Sequence, residues 1–332
     1  MSRRRLIGFC CVAAVLVFGL AGPVAGAETP PAAKSGNAAQ KPAKPAVSDA
    51  GTNPATPALD SAFLVREVAY NELRDHDSHG YWRYWVESRS GNETLLKQAI
   101  ETPHGRVARL ELSNGRPPAQ EAREDDDRGL HHLLTSPGEQ AQHFKDYQDD
   151  EHRIGRILAL LPGAFLFDPP QPQARSSEMP ECPCYQMRFH PNPGYPAHSI
   201  EARILHAMAG DLWVSIENKR LVRLDAKLQE NVDFGFGILG RLYKDGWFRI
   251  ERTHVLSTAN GGVGYGDWKT RRLEVHMNGR AMLFKTISRE TSEVRSGFAP
   301  VPSGLSLQQA ATMIGQPANA PATQPVVLAT SR

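Results

Sequence analysis

Residues 210–228 decide the fold. Gly210-Asp211-Leu212-Trp213-Val214-Ser215-Ile216 places Leu212, Val214 and Ile216 at every second position, and a short polar turn follows. In Leu221-Val222-Arg223-Leu224-Asp225-Ala226-Lys227-Leu228, Val222, Leu224, Ala226 and Leu228 share one parity, while Arg223, Asp225 and Lys227 share the other. Successive side chains of a strand point to opposite faces, so each run has one dry and one wet face. That pattern belongs to an antiparallel sheet and not to a doubly wound parallel one, whose strands are apolar on both faces.

Outward from this stretch the same periodicity recurs. Downstream, residues 241–255, 270–277 and 281–292 read as three further strands. Upstream, 184–190 is a strand, Pro191-Asn192-Pro193-Gly194-Tyr195-Pro196 forces a turn, and 198–209 fits a short helix. Nearer the N-terminus, 81–89, 94–102 and 106–112 form a meander with Gly-containing turns. Before it comes a helix that Asp60 can cap, with Leu59, Phe63, Tyr70 and Leu73 at helical spacing. Residues 117–161 are rich in Glu, Asp, Gln, Arg and His, and end with Ile154, Ile157, Leu158 and Leu161. They read as a charged helical insertion broken at Pro137-Gly138. The expected fold is α+β, mainly β. It is a large curved antiparallel sheet, a half-open β-barrel, with helices on its concave face and one folded body over 58–314.

The ends of the chain differ in character. Arg3, Arg4 and Arg5 precede an apolar run over residues 6–20, and Ala25-Gly26-Ala27 is a small-x-small cleavage site, so 1–27 reads as a secretory signal peptide. Cys10 and Cys11 lie inside the apolar run, which is the wrong place for lipid attachment. Residues 28–57 contain no aromatic and a single Val, too little apolar surface to offset ordering, and read as an Ala/Pro-rich disordered linker; 315–332 has the same composition. Removing 1–27 takes away three arginines and no acid, which turns the formal net charge from +2 to about −1. A near-neutral chain has no electrostatic basis for binding nucleic acid. No second apolar run is long enough to span a membrane, since 154–167 is interrupted by Pro162-Gly163. The expected location is the periplasm.

The chemistry-bearing residues form no recognisable catalytic set. The twelve histidines include His76 and His79 around Asp77, the adjacent His131-His132, and His143 and His152 within the insertion, but none has a complete metal-ligand spacing. No Gly-x-Ser-x-Gly elbow or Ser-x-x-Lys occurs, and the acidic run 121–128 mixes signs as a solvated helix does. Gly261-Gly262-Val263-Gly264-Tyr265-Gly266 joins two strands and opens no helix, so it reads as a hairpin loop and not a phosphate cradle. Cys182 and Cys184 are the cysteines outside the signal. In an oxidising compartment they read as a local disulfide or as two thiols, and no second Cys/His cluster completes a metal site. No cofactor and no enzymatic activity are expected. The one-sided sheet itself is the site: if its cover is incomplete, it can shelter acyl chains, each CH₂ contributing about 0.8 kcal/mol. By alternation the cavity candidates are Leu212, Val214, Ile216, Val222, Leu224, Phe248, Ile250, Leu273, Val275, Met282 and Phe284.

The runs Pro191-Asn192-Pro193-Gly194-Tyr195, Ala202-Arg203-Ile204-Leu205, Gly210-Asp211-Leu212-Trp213-Val214, Val222-Arg223-Leu224-Asp225-Ala226, Phe234-Gly235-Phe236-Gly237 and Arg280-Ala281-Met282-Leu283-Phe284-Lys285 carry a family resemblance. Taken together they resemble exported bacterial proteins labelled outer-membrane lipoprotein-sorting-protein-like. These are similar in architecture to the LolA/LolB/RseB lipoprotein-localisation superfamily. The resemblance implies a half-open barrel plugged by helices, a cavity for acyl chains, and a soluble periplasmic carrier whose partner is an acyl lipid or lipoprotein. The insertion at 117–161 departs from that plain fold and offers a surface for an envelope protein partner, the basis of an alternative sensor or interaction role. A hydrolase built around His143 and His152 is the second alternative.

Overall fold

The structure is a computed structural model and describes residues 59–78, 80–234, 240–256, 266–281 and 285–314. The signal (1–27), the linker (28–57), the tail (315–332), His79, most of the 261–266 loop, Met282 and Phe284 lie outside the described residues. Helix α1 (Ser61–Ser78) precedes the meander β1 (Tyr81–Ser90), β2 (Glu93–Thr102) and β3 (Gly105–Ser113). The insertion supplies α2 (Gln120–Thr135) and α3 (Pro137–Ala164). Short strands β4 (Phe165–Phe167) and β5 (Gln171–Gln173) lead to β6 (Cys184–Pro191), α4 (Ile200–His206), β7 (Met208–Ser215) and β8 (Leu221–Leu228). The chain then forms β9 (Val232–Phe234), β10 (Gly240–Leu242), β11 (Trp247–Leu256), β12 (Gly266–Ala281), β13 (Lys285–Val301) and α5 (Leu307–Ile314). No helix among the described residues is long and apolar enough to cross a membrane.

All thirteen strands of the described residues belong to one open antiparallel sheet, whose main path runs β3-β2-β1-β13-β12-β11-β8-β7-β6-β4. The first meander therefore joins the second half of the chain through β1 and β13, with Tyr81 opposite Val301. Lys269 on β12 reaches Glu101 on β2 at 3.1 Å although β13 and β1 lie between them in the sheet, so the sheet curls on itself at this end. Asp267 reinforces the curl by accepting from Trp82 Nε1 at 2.6 Å and from Gly80 N at 2.8 Å. Along β7 the close neighbour is β8: a Cβ on Gly210 would fall inside the van der Waals envelope of the Asp225 carbonyl oxygen, so only glycine fits there.

The two faces are covered by different helices. Helices α1 and α3 pack together over the concave face, where the largest apolar cluster joins Leu64 and Val68 to Met187, Ile204, Leu228 and Ile250. On the other face, Ile100 and Val107 lie under Leu307, Ala310 and Ile314 of α5, flanked by Leu130, Leu133 and Leu134 of α2. Helix α2 has no buried residue of its own, yet it guards the edge of the sheet. Asp126 accepts the backbone N–H of Leu110 at 2.9 Å and Asp127 pairs with Arg109 at 2.8 Å. An unpaired edge N–H is an invitation to pairing with another chain, and Asp126 removes it.

Several local expectations change in three dimensions. On α1 the buried stripe is Leu64, Val65, Val68, Ala69 and Glu72, whereas Phe63 and Tyr70 are 58% and 59% exposed. The helix carries two apolar stripes, and the narrower side chains face the sheet. The insertion breaks at Ser136, which caps α3 by accepting from Glu139 N, with Pro137 in the first turn, where its missing N–H costs nothing. The expected strand over 241–255 is two, β10 and β11, because Asp245 at φ 71° turns the chain between them. Strand β13 runs on to Val301 and so supplies β1 with its neighbour.

Two consequences can be measured. Asp126→Ala leaves the Leu110 N–H without its charged acceptor and should lower the free energy of unfolding by about 2 kcal/mol in denaturant titration. Asp225 sits between Arg223 (2.7 Å) and Arg249 (2.9 Å). Burial pushes its carboxyl up, but the hydrogen bonds and charges of both arginines outweigh burial and hold it below the usual 3.8. A depressed carboxyl stabilises the fold above its ordinary pKa and loses that contribution as pH falls through the folded value. The melting-temperature gap between the wild type and Asp225→Asn should therefore be largest near neutrality and shrink below about pH 4.

Candidate functional site

Between α1, α3 and the concave face lies a cavity of about 180 Å³, within a hollow of about 1590 Å³ that opens to solvent. Its walls follow from helical spacing. Val65, Val68, Ala69, Glu72 and Asp75 repeat along one stripe of α1, and Ile154, Ile157, Leu158 and Leu161 along one stripe of α3. Ser61 Oγ donates to the Phe167 carbonyl at 3.1 Å, which ties the start of α1 to β4, the strand that directly follows α3, so the last turns of α1 lie toward the earlier turns of α3. The cavity is consequently graded. One end is apolar, with Phe165 edge-on to Phe189 at 4.8 Å between ring centroids. The other end holds Glu72, Asp75, Glu101, Glu151, Arg252, Lys269 and Arg295.

The polar end is a desolvated ion-pair network. Glu72 is 3% exposed and accepts from Arg220 Nε at 3.1 Å, from Leu221 N at 3.0 Å and from Arg252. Asp75 pairs with Arg220 at 2.6 Å and with Arg252 at 3.4 Å. Arg220 also donates to the Asn71 carbonyl at 2.9 Å, and Asn71 Nδ2 to the Lys219 carbonyl at 3.2 Å, so the last turns of α1 are tied to the β7–β8 turn. Burial lowers the pKa of Arg220, with the Asp75 charge and hydrogen bond opposing it. Removing one partner of such a pair leaves an uncompensated buried charge, which is far more destabilising than the net worth of the pair.

Of the residues named from sequence, Leu212, Leu224 and Phe248 line the cavity. Val214, Ile250, Leu273 and Val275 are buried in the same apolar cluster without reaching the lining. Val222 is not beside Leu224. Strand β8 carries a bulge, with Val214 opposite Leu221 and Trp213 opposite Arg223, which sends Val222 to a separate cluster with Trp268 and the cysteines. The bulge places Leu221 in the lining in its stead. Ile216 falls in the turn after β7 and is half-buried. Sequence reasoning read the α3 stripe as helical but left it out of the cavity, and it missed the α1 wall, the Phe165–Phe189 contact and the whole polar end. The available signal was Val65-x-x-Val68-x-x-x-Glu72-x-x-Asp75, an acid pair continuing an apolar stripe.

Cys182 and Cys184 are joined by a disulfide and have no exposed surface. His143 and His152 are nine residues apart on α3, about 180° around the helix, so they cannot act together. His143 stands over Gly105, where burial holds its imidazole below the usual range, Arg106 adding to this and Asp146 opposing it. Among the described residues no three His, Cys, Asp or Glu side chains converge as metal ligands.

No family model and no curated protein matches this chain. Among solved structures, the chain is similar to the crystal structure of a DUF1329 family protein from Desulfovibrio piger. The two are 10% identical, with a TM-score of 0.26, over 75% of this chain and 96% of that one.

Proposed function

We propose that this protein is a non-catalytic binding protein or carrier for an acyl chain, working in the bacterial cell envelope after export. The observation that carries the reading is the graded cavity: two apolar helix stripes face an apolar sheet, and every charge is kept to one end. Apolar walls of this kind reward burial of methylene groups at about 0.8 kcal/mol each. At rest the cavity is comparable with the roughly 150 Å³ apolar hole that admits benzene, so a long chain extends from it through the open part of the hollow. Docking of a protein through the insertion is the weaker alternative, because Asp126 and Asp127 of α2 are already engaged by the sheet edge.

The test is native mass spectrometry with organic extraction of residues 28–332, purified from a periplasmic preparation without detergent. A stoichiometric lipid, or uptake of added monoacylglycerol, is the expected outcome; an apo mass that never changes sinks the reading. Val68→Phe fills the cavity from α1 and should weaken binding about tenfold or more, while the circular dichroism spectrum stays that of the wild type.

A further inference from the structure

Resting on the acyl-binding reading, we infer that the polar end of the cavity selects a neutral hydroxyl or ester head group and excludes an anionic one. The balance of charge argues for this. Among the described residues, the cations at that end, Arg220, Arg252, Lys269 and Arg295, are each held by acids of the protein itself. Glu72 and Asp75 take Arg220 and Arg252, Glu101 takes Lys269 at 3.1 Å, and Glu293 takes Arg295 at 2.6 Å. Glu151 adds a further carboxylate to the lining, so acids are not outnumbered.

An incoming carboxylate or phosphate would have to displace a carboxylate of α1 or stand beside it. Either way a charge is buried without compensation. A hydroxyl or ester makes no such demand. A hydroxyl can donate to the outer lone pairs of Asp75 or Glu101, and either group can accept from Lys269, while the ion pairs stay intact. The side chains concerned are themselves largely shielded: Glu72, Asp75, Arg252, Lys269 and Glu101 are 3%, 16%, 17%, 12% and 15% exposed, so bulk water does little to screen an added charge. The gradient also sets the direction of entry. The chain lies toward Phe165 and Phe189, and the head stops where Val68 gives way to Glu72.

The experiment compares two ligands with the same tail, monopalmitoylglycerol and palmitate. Each displaces the neutral probe N-phenyl-1-naphthylamine from the delipidated protein at pH 8, below the aggregation limit of either ligand. The neutral ligand should bind at least about tenfold more tightly. Equal affinity, or a preference for palmitate, overturns the head-group inference and leaves the acyl-binding reading standing; displacement by neither ligand overturns both. Asp75→Asn frees part of the positive charge of Arg220 and should narrow the ratio toward palmitate. An unchanged ratio in a folded variant would show that the head group lies elsewhere.

Discussion

The carboxylate of Glu72 is the interaction on which the arrangement of the molecule depends. It is buried, and it is satisfied from three directions at once: the Arg220 guanidinium, the Leu221 amide and the Arg252 guanidinium. These partners come from the β7–β8 turn, from β8 and from β11, so one side chain of α1 fixes the helix against three parts of the sheet. Apolar contact could hold α1 at many rotations and offsets, because burial is not directional. The ion pairs allow one. That single register carries Val65 and Val68 over the cavity and leaves Phe63 and Tyr70 outside.

The same fixation explains why a cavity survives in a body of this size. A sheet of thirteen strands offers more apolar face than two helices can fill, and close packing would ordinarily draw them down onto it. Here the end of α1 is held by bonds of defined length, and its start is held by Ser61 on the Phe167 carbonyl. A helix pinned at both ends cannot settle into the space between. The curl of the sheet acts in the same sense, since Lys269–Glu101 and Asp267–Trp82 hold β12 against the first meander.

The β-architecture was readable because strands with one wet face leave a period of two, and most strand positions follow from it directly. The helices that make the site were harder. In the sequence of α1 and just before it, Leu59, Phe63 and Tyr70 form as regular an apolar stripe as Leu64, Val65 and Val68, and hydrophobicity alone does not say which one the sheet receives. Glu72 decides it, but an acid on an apolar stripe looks like a flaw until Arg220 and Arg252 are brought to it from about 150 and 180 residues away. Val222 was misplaced for a related reason. A bulge adds one residue to one strand, and from that point every parity argument along the run is reversed. The placement of Leu212, Leu224 and Phe248 in the lining needed only alternation.

The pairing of β1 with β13 has a bearing on how the chain reaches this state. Tyr81 meets Val301, so the ladder that joins the first meander to the rest of the sheet closes a loop of more than two hundred residues. Loop closure of that span is paid in chain entropy before any contact rewards it, and topologies rich in such contacts fold slowly. Until β13 arrives, the three-strand meander stands with β1 as an open edge and Trp82 and Tyr84 uncovered. Nascent chain is therefore exposed to mispairing for most of its synthesis, and folding after the whole polypeptide has emerged is the order that this topology favours.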